Sequence, residues 1–366
     1  MTSNSRLTGV NGANWQIEQG CPQCGAPLTL DETDRLLACP FCRVKLFIAP
    51  ERHFRYLIPP AKEMEGDLIY VPYWRLRGSF FTVSAPGVKS RFVDTSVLAA
   101  DIPGLPPSLG FRPQVLKLRF VSPSEKGRFI PAAETSAEVA RRGVDAETMA
   151  ANGLGLQRLR RRFDSAKRST GMGISSADEL RSGFFRRGFI GETVSLIHAP
   201  LFLQGEILYD GVLGRTVSAC GAGERERLLA SSLAPSDQVR FIPTLCPHCG
   251  WDMEGERDSL VLLCRNCSSA WSCNGRTLTR VAHAIIAMPT PAGETAIYLP
   301  FWRMNPRFEG LALASWADLI RVANLPKAVR PAFEADPLYF WSPAFRVNPV
   351  LYARWARQMT VFRPAG

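Results

Sequence analysis

Cys21-Pro22-Gln23-Cys24-Gly25, closed by Cys39-Pro40-Phe41-Cys42, returns later in the chain as Cys246-Pro247-His248-Cys249-Gly250, closed by Cys264-Arg265-Asn266-Cys267. In both stretches fourteen residues separate the inner cysteines. The likeness continues downstream. Tyr56-Leu57-Ile58-Pro59 leads through a glycine-containing stretch to Ile69-Tyr70-Val71-Pro72-Tyr73-Trp74-Arg75, and Ile285-Ile286-Ala287-Met288-Pro289 leads past Gly293 to Ile297-Tyr298-Leu299-Pro300-Phe301-Trp302-Arg303. A shared cysteine spacing followed by a shared strand motif reads as a tandem duplication with a long insert between the copies.

The spacing carries its own chemistry. A C-x-x-C turn can place two thiolates on one metal ion, and two such turns joined by a hairpin close a tetrahedral four-sulfur shell. Four protein ligands leave no position for water or substrate, which is the structural form of such a site. Proline after the first cysteine presets the turn, and glycine after the second eases the backbone past the sulfurs. Residues 19–48 and 244–276 resemble zinc ribbons, the rubredoxin-like group found in transcription and replication factors and in many adaptors. The ligand sets are Cys21, Cys24, Cys39 and Cys42, and Cys246, Cys249, Cys264 and Cys267, and the expected cofactors are two structural Zn²⁺ ions. The second copy's closing turn lacks the proline and glycine of the others (Arg265, Asn266, Ser268). Iron is the alternative, since four thiolates suit either metal. Rubrerythrin-like chains with this spacing add Glu-x-x-His motifs, and none of His53, His198, His248 and His283 has a glutamate three residues before it. A redox dithiol needs one C-x-x-C on a βα turn, not four in paired hairpins. Cys220 and Cys273 are left over, Cys220 as a small hydrophobe and Cys273 as a spare ligand or a second hydrophobe.

The remaining composition is that of a globular chain: 366 residues, 46% hydrophobic, with 28 prolines and 29 glycines that favour turns and short strands. The N-terminus lacks a basic stretch followed by an apolar one, and no apolar run is long enough to span a bilayer. A cytoplasmic location, without membrane contact, is therefore expected, and there metal ligation is favoured over disulfides. The fold class expected is α+β: two zinc-ribbon plus β-sheet units related by internal duplication, with a basic helical insert. The boundaries read as a disordered tail over 1–18, ribbon 1 over 19–50, a β-rich unit over 51–131, the insert over 132–190, a β-hairpin segment over 191–240, ribbon 2 over 241–283, and a second β-rich unit with C-terminal helices over 284–366. Asp210-Gly211 between Ile207-Leu208-Tyr209 and Val212-Leu213 signals the hairpin. Ser315 with Asp318 opens one C-terminal helix, 349–359 forms another, and 339–345 reads as a strand.

Three features bear on partners. The insert opens on a capping box, Thr135 with Glu138, stopped by Gly143. It continues with Leu156, Leu159 and Phe163 at helical spacing among Arg158, Arg160, Arg161, Arg162, Lys167 and Arg168. Residues 141–190 hold eleven Lys/Arg against five Asp/Glu, while the whole chain carries a net charge of +11. This run is a candidate nucleic-acid contact, extended by Arg186 and Arg187, or else a solvated helix face. The ribbon loops are acidic instead: Asp31, Glu32 and Asp34 against Arg35, and Asp252, Glu254, Glu256 and Asp258 against Arg257 and Arg265. They are expected to repel phosphate. The strand motifs place Tyr70, Pro72 and Trp74 on one face and Val71, Tyr73 and Arg75 on the other. Tyr70, Trp74, Tyr298 and Trp302 form either an aromatic surface or, as for most strand aromatics, a core packed on the ribbon. Pro72 and Pro300, lacking an N–H, place these strands at a sheet edge or at a strand start.

The chain has no phosphate-binding loop, dinucleotide fingerprint, nucleophile elbow or metalloprotease helix motif. Four ungrouped histidines leave little acid–base material. The reading is a non-enzymatic zinc-ribbon adaptor or assembly protein working in a protein complex, with no small-molecule substrate. A nucleic-acid-binding protein using the insert is the alternative, and a rubredoxin-like electron carrier stands behind both.

Overall fold

The computed structural model describes residues 15–50, 52–61, 64–84, 87–102, 104–110, 116–141, 184–230, 239–273, 275–286, 297–308, 312–345 and 347–363. The chain divides into two compact units, Met1–Val281 and Ala282–Gly366. The architecture is mixed and mostly strands, with few helices. No helix among the described residues is long and apolar enough to cross a membrane.

In the first unit, β1 (Gln16–Gly20) and β2 (Pro27–Asp31) pair antiparallel around the first cysteine turn, and β3 (Leu36–Ala38) and β4 (Lys45–Ala49) pair around the second. β5 (Phe54–Leu57) then leads into β6 (Asp67–Ser84), the long strand that carries the first aromatic motif. β7 (Gly87–Leu98) turns back along β6, and the short β8 (Leu118–Phe120) and β9 (Arg128–Phe129) join the same sheet. β10 (Phe184–Gln204) runs antiparallel to β6 over its full length and is followed by β11 (Ile207–Asp210), β12 (Thr216–Ala219) and helix α1 (Ala222–Ala230). Ile69, Val71 and Tyr73 of β6 join the main core with Trp15, Ile17, Cys21 and Cys39. Tyr70, Trp74 and Leu76 fill two cores on the opposite face. Both faces of the strand are covered, so its motif reads as a near-continuous apolar run instead of an alternation.

The chain then returns to the cysteine hairpin already built. β13 (Arg240–Pro243) pairs with β4, and β14 (Val261–Cys264), β15 (Ser269–Cys273) and β16 (Leu278–Val281) form a separate antiparallel sheet. Phe47 and Ala49 of β4 share one apolar cluster with Cys246, Met253, Leu262, Cys264 and Trp271.

In the second unit β17 (Phe301–Met304) pairs with β18 (Phe340–Pro343), which lies beyond helices α2 (Trp316–Val322) and α3 (Pro331–Glu334) and before α4 (Pro349–Phe362). Leu313, Trp316, Ile320 and Leu338 form its core. Ser315 and Asp318 make the reciprocal capping box of α2 that the sequence announces. Asn348 caps α4 ahead of Pro349.

Several expectations need correction. Residues 15–18 are not a loose tail: Trp15 and Ile17 are buried, and β1 begins at Gln16. The Thr135–Glu138 capping box forms and starts a helical stretch over 136–141. The end of the insert, however, is strand from Phe184, because β10 pairs with β6 as far out as Phe184 opposite Ser84. Val212 and Leu213 lie in the turn between β11 and β12, where both N–H groups donate to the Asp210 carboxylate, at 2.9 and 3.0 Å. Gly211 is needed for space, since a Cβ there would sit 2.9 Å from Pro200. Pro72 is not at a sheet edge. Its missing N–H faces the side on which β9 gives way to β7, so no ladder bond is lost there. The second four-cysteine segment belongs to the same compact unit as the first, and the division falls behind it.

Candidate metal centres

Each cysteine set converges on a single point. All four sulfurs of Cys21, Cys24, Cys39 and Cys42 lie within 4.8 Å of one another, as do those of Cys246, Cys249, Cys264 and Cys267. The shortest recorded spacings are 3.7 Å for Cys21–Cys42 and Cys24–Cys39, 3.6 Å for Cys246–Cys267 and 3.4 Å for Cys249–Cys264. A tetrahedron with metal–sulfur bonds of ~2.3 Å has edges of about 3.8 Å, whereas a disulfide needs about 2.05 Å. The sulfurs therefore fit around one ion and are not bonded to each other, and none of the ten cysteines forms a disulfide.

The backbone explains the convergence. Gly25 N–H donates to Cys21 O and Gly250 N–H to Cys246 O, both at 2.8 Å, and Arg43 N–H donates to Cys39 O at 2.9 Å. The residue after each turn has positive φ: 74° at Gly25, 72° at Gly250, 62° at Arg43 and 50° at Ser268. A Cβ at Gly25 or Gly250 would meet nothing within 4 Å. The glycines therefore serve the left-handed conformation and not a close approach to sulfur, and Arg43 and Ser268 hold the same conformation at the cost a side chain imposes.

Charge supplies the reason for a cation. At Cys39 the backbone N–H groups of the turn, led by that of Cys42, draw the thiol down to about 7. At Cys246 burial pushes upward but is outweighed by the N–H groups of Cys249 and His248, leaving about 6. Their neighbours Cys42 and Cys264 are pushed up to about 12. Thiolates this close cannot all ionise without a cation among them. Ser269, whose hydroxyl lies 2.9 Å from Cys267 Sγ and accepts from Trp271 Nε1 at 2.8 Å, joins the second set to its core. Each set can thus hold one metal ion, two in all, for which zinc is chemically suited. Cys273 stands outside the second set, packed against its apolar cluster, and Cys220 is buried in the main core.

The acidic loop residues have a role that the sequence did not disclose. Arg75, the last residue of the first motif, is fully buried. Its Nε and Nη2 donate to the Asp94 carboxylate at 3.0 and 2.9 Å, and its Nη1 donates to Glu32 of the first hairpin. The Trp15 ring covers the guanidinium, 3.3 Å from its centroid, and Ser195 Oγ donates to the other Glu32 oxygen at 3.1 Å. Arg257, which occupies the place of Glu32 in the second hairpin, pairs instead with Asp34 of the first. Arg257 O accepts from the N–H groups of Arg35 and Leu36, at 2.6 and 2.9 Å. The first hairpin is thus pinned to the sheet, and the second is stacked on the first. Glu32 and Asp34 are buried, so they are not the free, phosphate-repelling charge expected of them. Only spatial neighbours could reveal this, because Glu32 and Arg75 lie far apart in the chain.

The aromatic residues divide. Tyr70 and Trp74 are buried and form no surface. Trp74 does not pack on the hairpin either: it lies on the face opposite Arg75, its Nε1–H donating to Glu134 O at 2.8 Å. Tyr298 and Trp302 are exposed. Arg158, Arg160, Arg161, Arg162, Lys167 and Arg168, together with Gly143, fall outside the described residues. Arg186 and Arg187 sit on β10 opposite Val83 and Thr82. No protein-family model, no curated protein and no solved structure matches this chain.

Proposed function

We propose that this protein is a non-enzymatic adaptor or assembly factor whose two metal centres are structural zinc ribbons. The observation that carries the reading is the pair of closed four-sulfur cages, stacked through β4 and β13 into one body. A fully coordinated ion stabilises a surface but offers no site to a substrate. Exposed Phe41, Trp251, Leu260 and Leu263 around the hairpins supply apolar contact area of the kind protein partners cover.

The reading includes an internal duplication. Its support extends from the sequence to the register: Tyr73 pairs with Leu98 as Phe301 pairs with Pro343, and Ala99 N–H donates to Pro72 O at 3.0 Å as Ala344 N–H donates to Pro300 O at 2.9 Å. The test is purification of the full chain from its native host with metal analysis. Two zinc equivalents in a colourless protein, with a stoichiometric macromolecular partner, are expected. A red, iron-loaded protein or one recovered alone would overturn the proposal.

The basic composition of 141–190 supports nucleic acid as the second reading. It requires binding that weakens steeply with salt and is lost when Arg160, Arg161 and Arg162 become alanine.

A further inference from the structure

The two strand motifs share a sequence but not a neighbourhood. In the first unit β6 is paired on both sides, by β7 and β10, and Ile69, Tyr70, Val71, Trp74 and Leu76 are 1, 2, 1, 7 and 1% exposed. In the second unit β18 fills the place of β7, with matching register and the matching bond to the proline carbonyl. No strand among the described residues fills the place of β10. The counterparts Ile297, Tyr298, Leu299, Trp302 and Met304 are 85, 60, 52, 38 and 45% exposed.

The free edge is intact as a hydrogen-bonding ladder. Because Pro300 O accepts from Ala344, residues 300, 302 and 304 direct their peptide groups toward β18, and Leu299, Phe301 and Arg303 direct theirs away. The missing N–H of Pro300 therefore costs the open side nothing. Arg303 differs from Arg75 in the same sense. Arg75 is neutralised by Glu32 and Asp94, whereas Arg303 lies over Tyr339, 4.8 Å from its ring centroid, at the place that corresponds to Asp94.

We propose that the edge Leu299–Arg303 accepts an extended apolar strand from another protein, antiparallel to β17, with a carboxylate on the residue opposite Arg303. The first unit of the same chain supplies the template. There the occupant is the apolar run Ser195–Leu203 of β10, whose Ser195 lies opposite Arg75. A net positive charge on the chain opposes pairing with a second copy and favours an acidic partner strand. The inference deepens the adaptor reading and rests on it for the partner's existence, but its test is separate.

The probe is a labelled synthetic peptide of residues 194–204 carrying Ser195→Glu, added to the full metal-loaded chain. The acidic peptide is expected to bind about tenfold more tightly than its serine parent. It should protect the amides of Leu299, Phe301 and Arg303 from hydrogen exchange and leave Trp302 unchanged. Phe301→Pro, which removes an outward N–H, should abolish binding, and Arg303→Gln should erase the preference for the acidic peptide while the chain still binds. Lack of protection at those three amides, or their protection in a concentration-dependent dimer without peptide, would overturn the proposal. Purification from the host tests the adaptor role alone, so the two can fail separately.

Discussion

Arg75 and Arg303 end the same seven-residue motif, yet one is sealed between two carboxylates and the other lies at the surface over a tyrosine ring. The difference lies in what reaches each strand. In the first unit a metal hairpin brings Glu32 down on one face, a returning strand supplies Asp94, and β10 closes the remaining edge. The second hairpin carries Arg257 where the first carries Glu32, and it is bonded to its sister hairpin through Asp34. Two strands with one motif keep the same pairing on one side while their burial differs with the counter-charges that reach them and with the strand that, among the described residues, lies beside β6 and not beside β17.

Metal removal should widen this contrast most. A structural zinc site contributes on the order of 10 kcal/mol of apparent folding free energy. Chelation, or Cys39→Ser, is expected to release Glu32 from Arg75 and expose the β6 amides to exchange, while the β17–β18 pairing stays as protected as before. Equal loss of protection in both strands would show that the motifs share one support after all. Next comes the arginine pair itself. Arg75→Met leaves Glu32 buried without its partner and should cost about 3–5 kcal/mol in a denaturant melt. Arg303→Met, at an exposed position, should stay within about 0.5 kcal/mol.

A smaller and pH-dependent effect separates the units further. His198 lies opposite Pro72 on β10, buried, with Nδ1 3.2 Å from Tyr56 O. Burial depresses it to about 4, and the Tyr56 carbonyl only partly opposes this. The folded state therefore keeps the ring neutral while the unfolded chain takes a proton below about 6.5. Stability of the first unit should fall by about 3 kcal/mol as pH drops from about 6.5 to about 4, and level off below that. His198→Asn should flatten the slope in pH-dependent melts. Arg257→Ala comes below the His198 effect: its side chain is 64% exposed, so loosening the two hairpins this way should cost no more than about 1 kcal/mol.

Much of this was legible in the chain. The two four-cysteine groups, the capping boxes at Thr135 and Ser315 and the strand motifs follow from local spacing, where each residue's partner lies a few positions away. The failures share a different origin. Tyr70 and Trp74 could be read as surface or as core because a strand's second face is covered only by distant segments, here Val121 and Phe129 over Tyr70 and 132–140 over Trp74. Glu32 and Asp34 looked like solvent charge because their arginines come from elsewhere in the chain. The first residues of β10 looked like the end of a helix because basic composition says nothing of pairing.

What the sequence determined by itself is therefore the grouping of eight cysteines into two sets of four that could each hold a metal ion, since thiolate spacing along a turn fixes which sulfurs can share one. Tertiary structure alone decided which of the two motif strands became a core strand and which, among the described residues, has an open edge. Burial depends on which strand and which counter-charge arrive from remote parts of the chain, and no local pattern encodes that arrival.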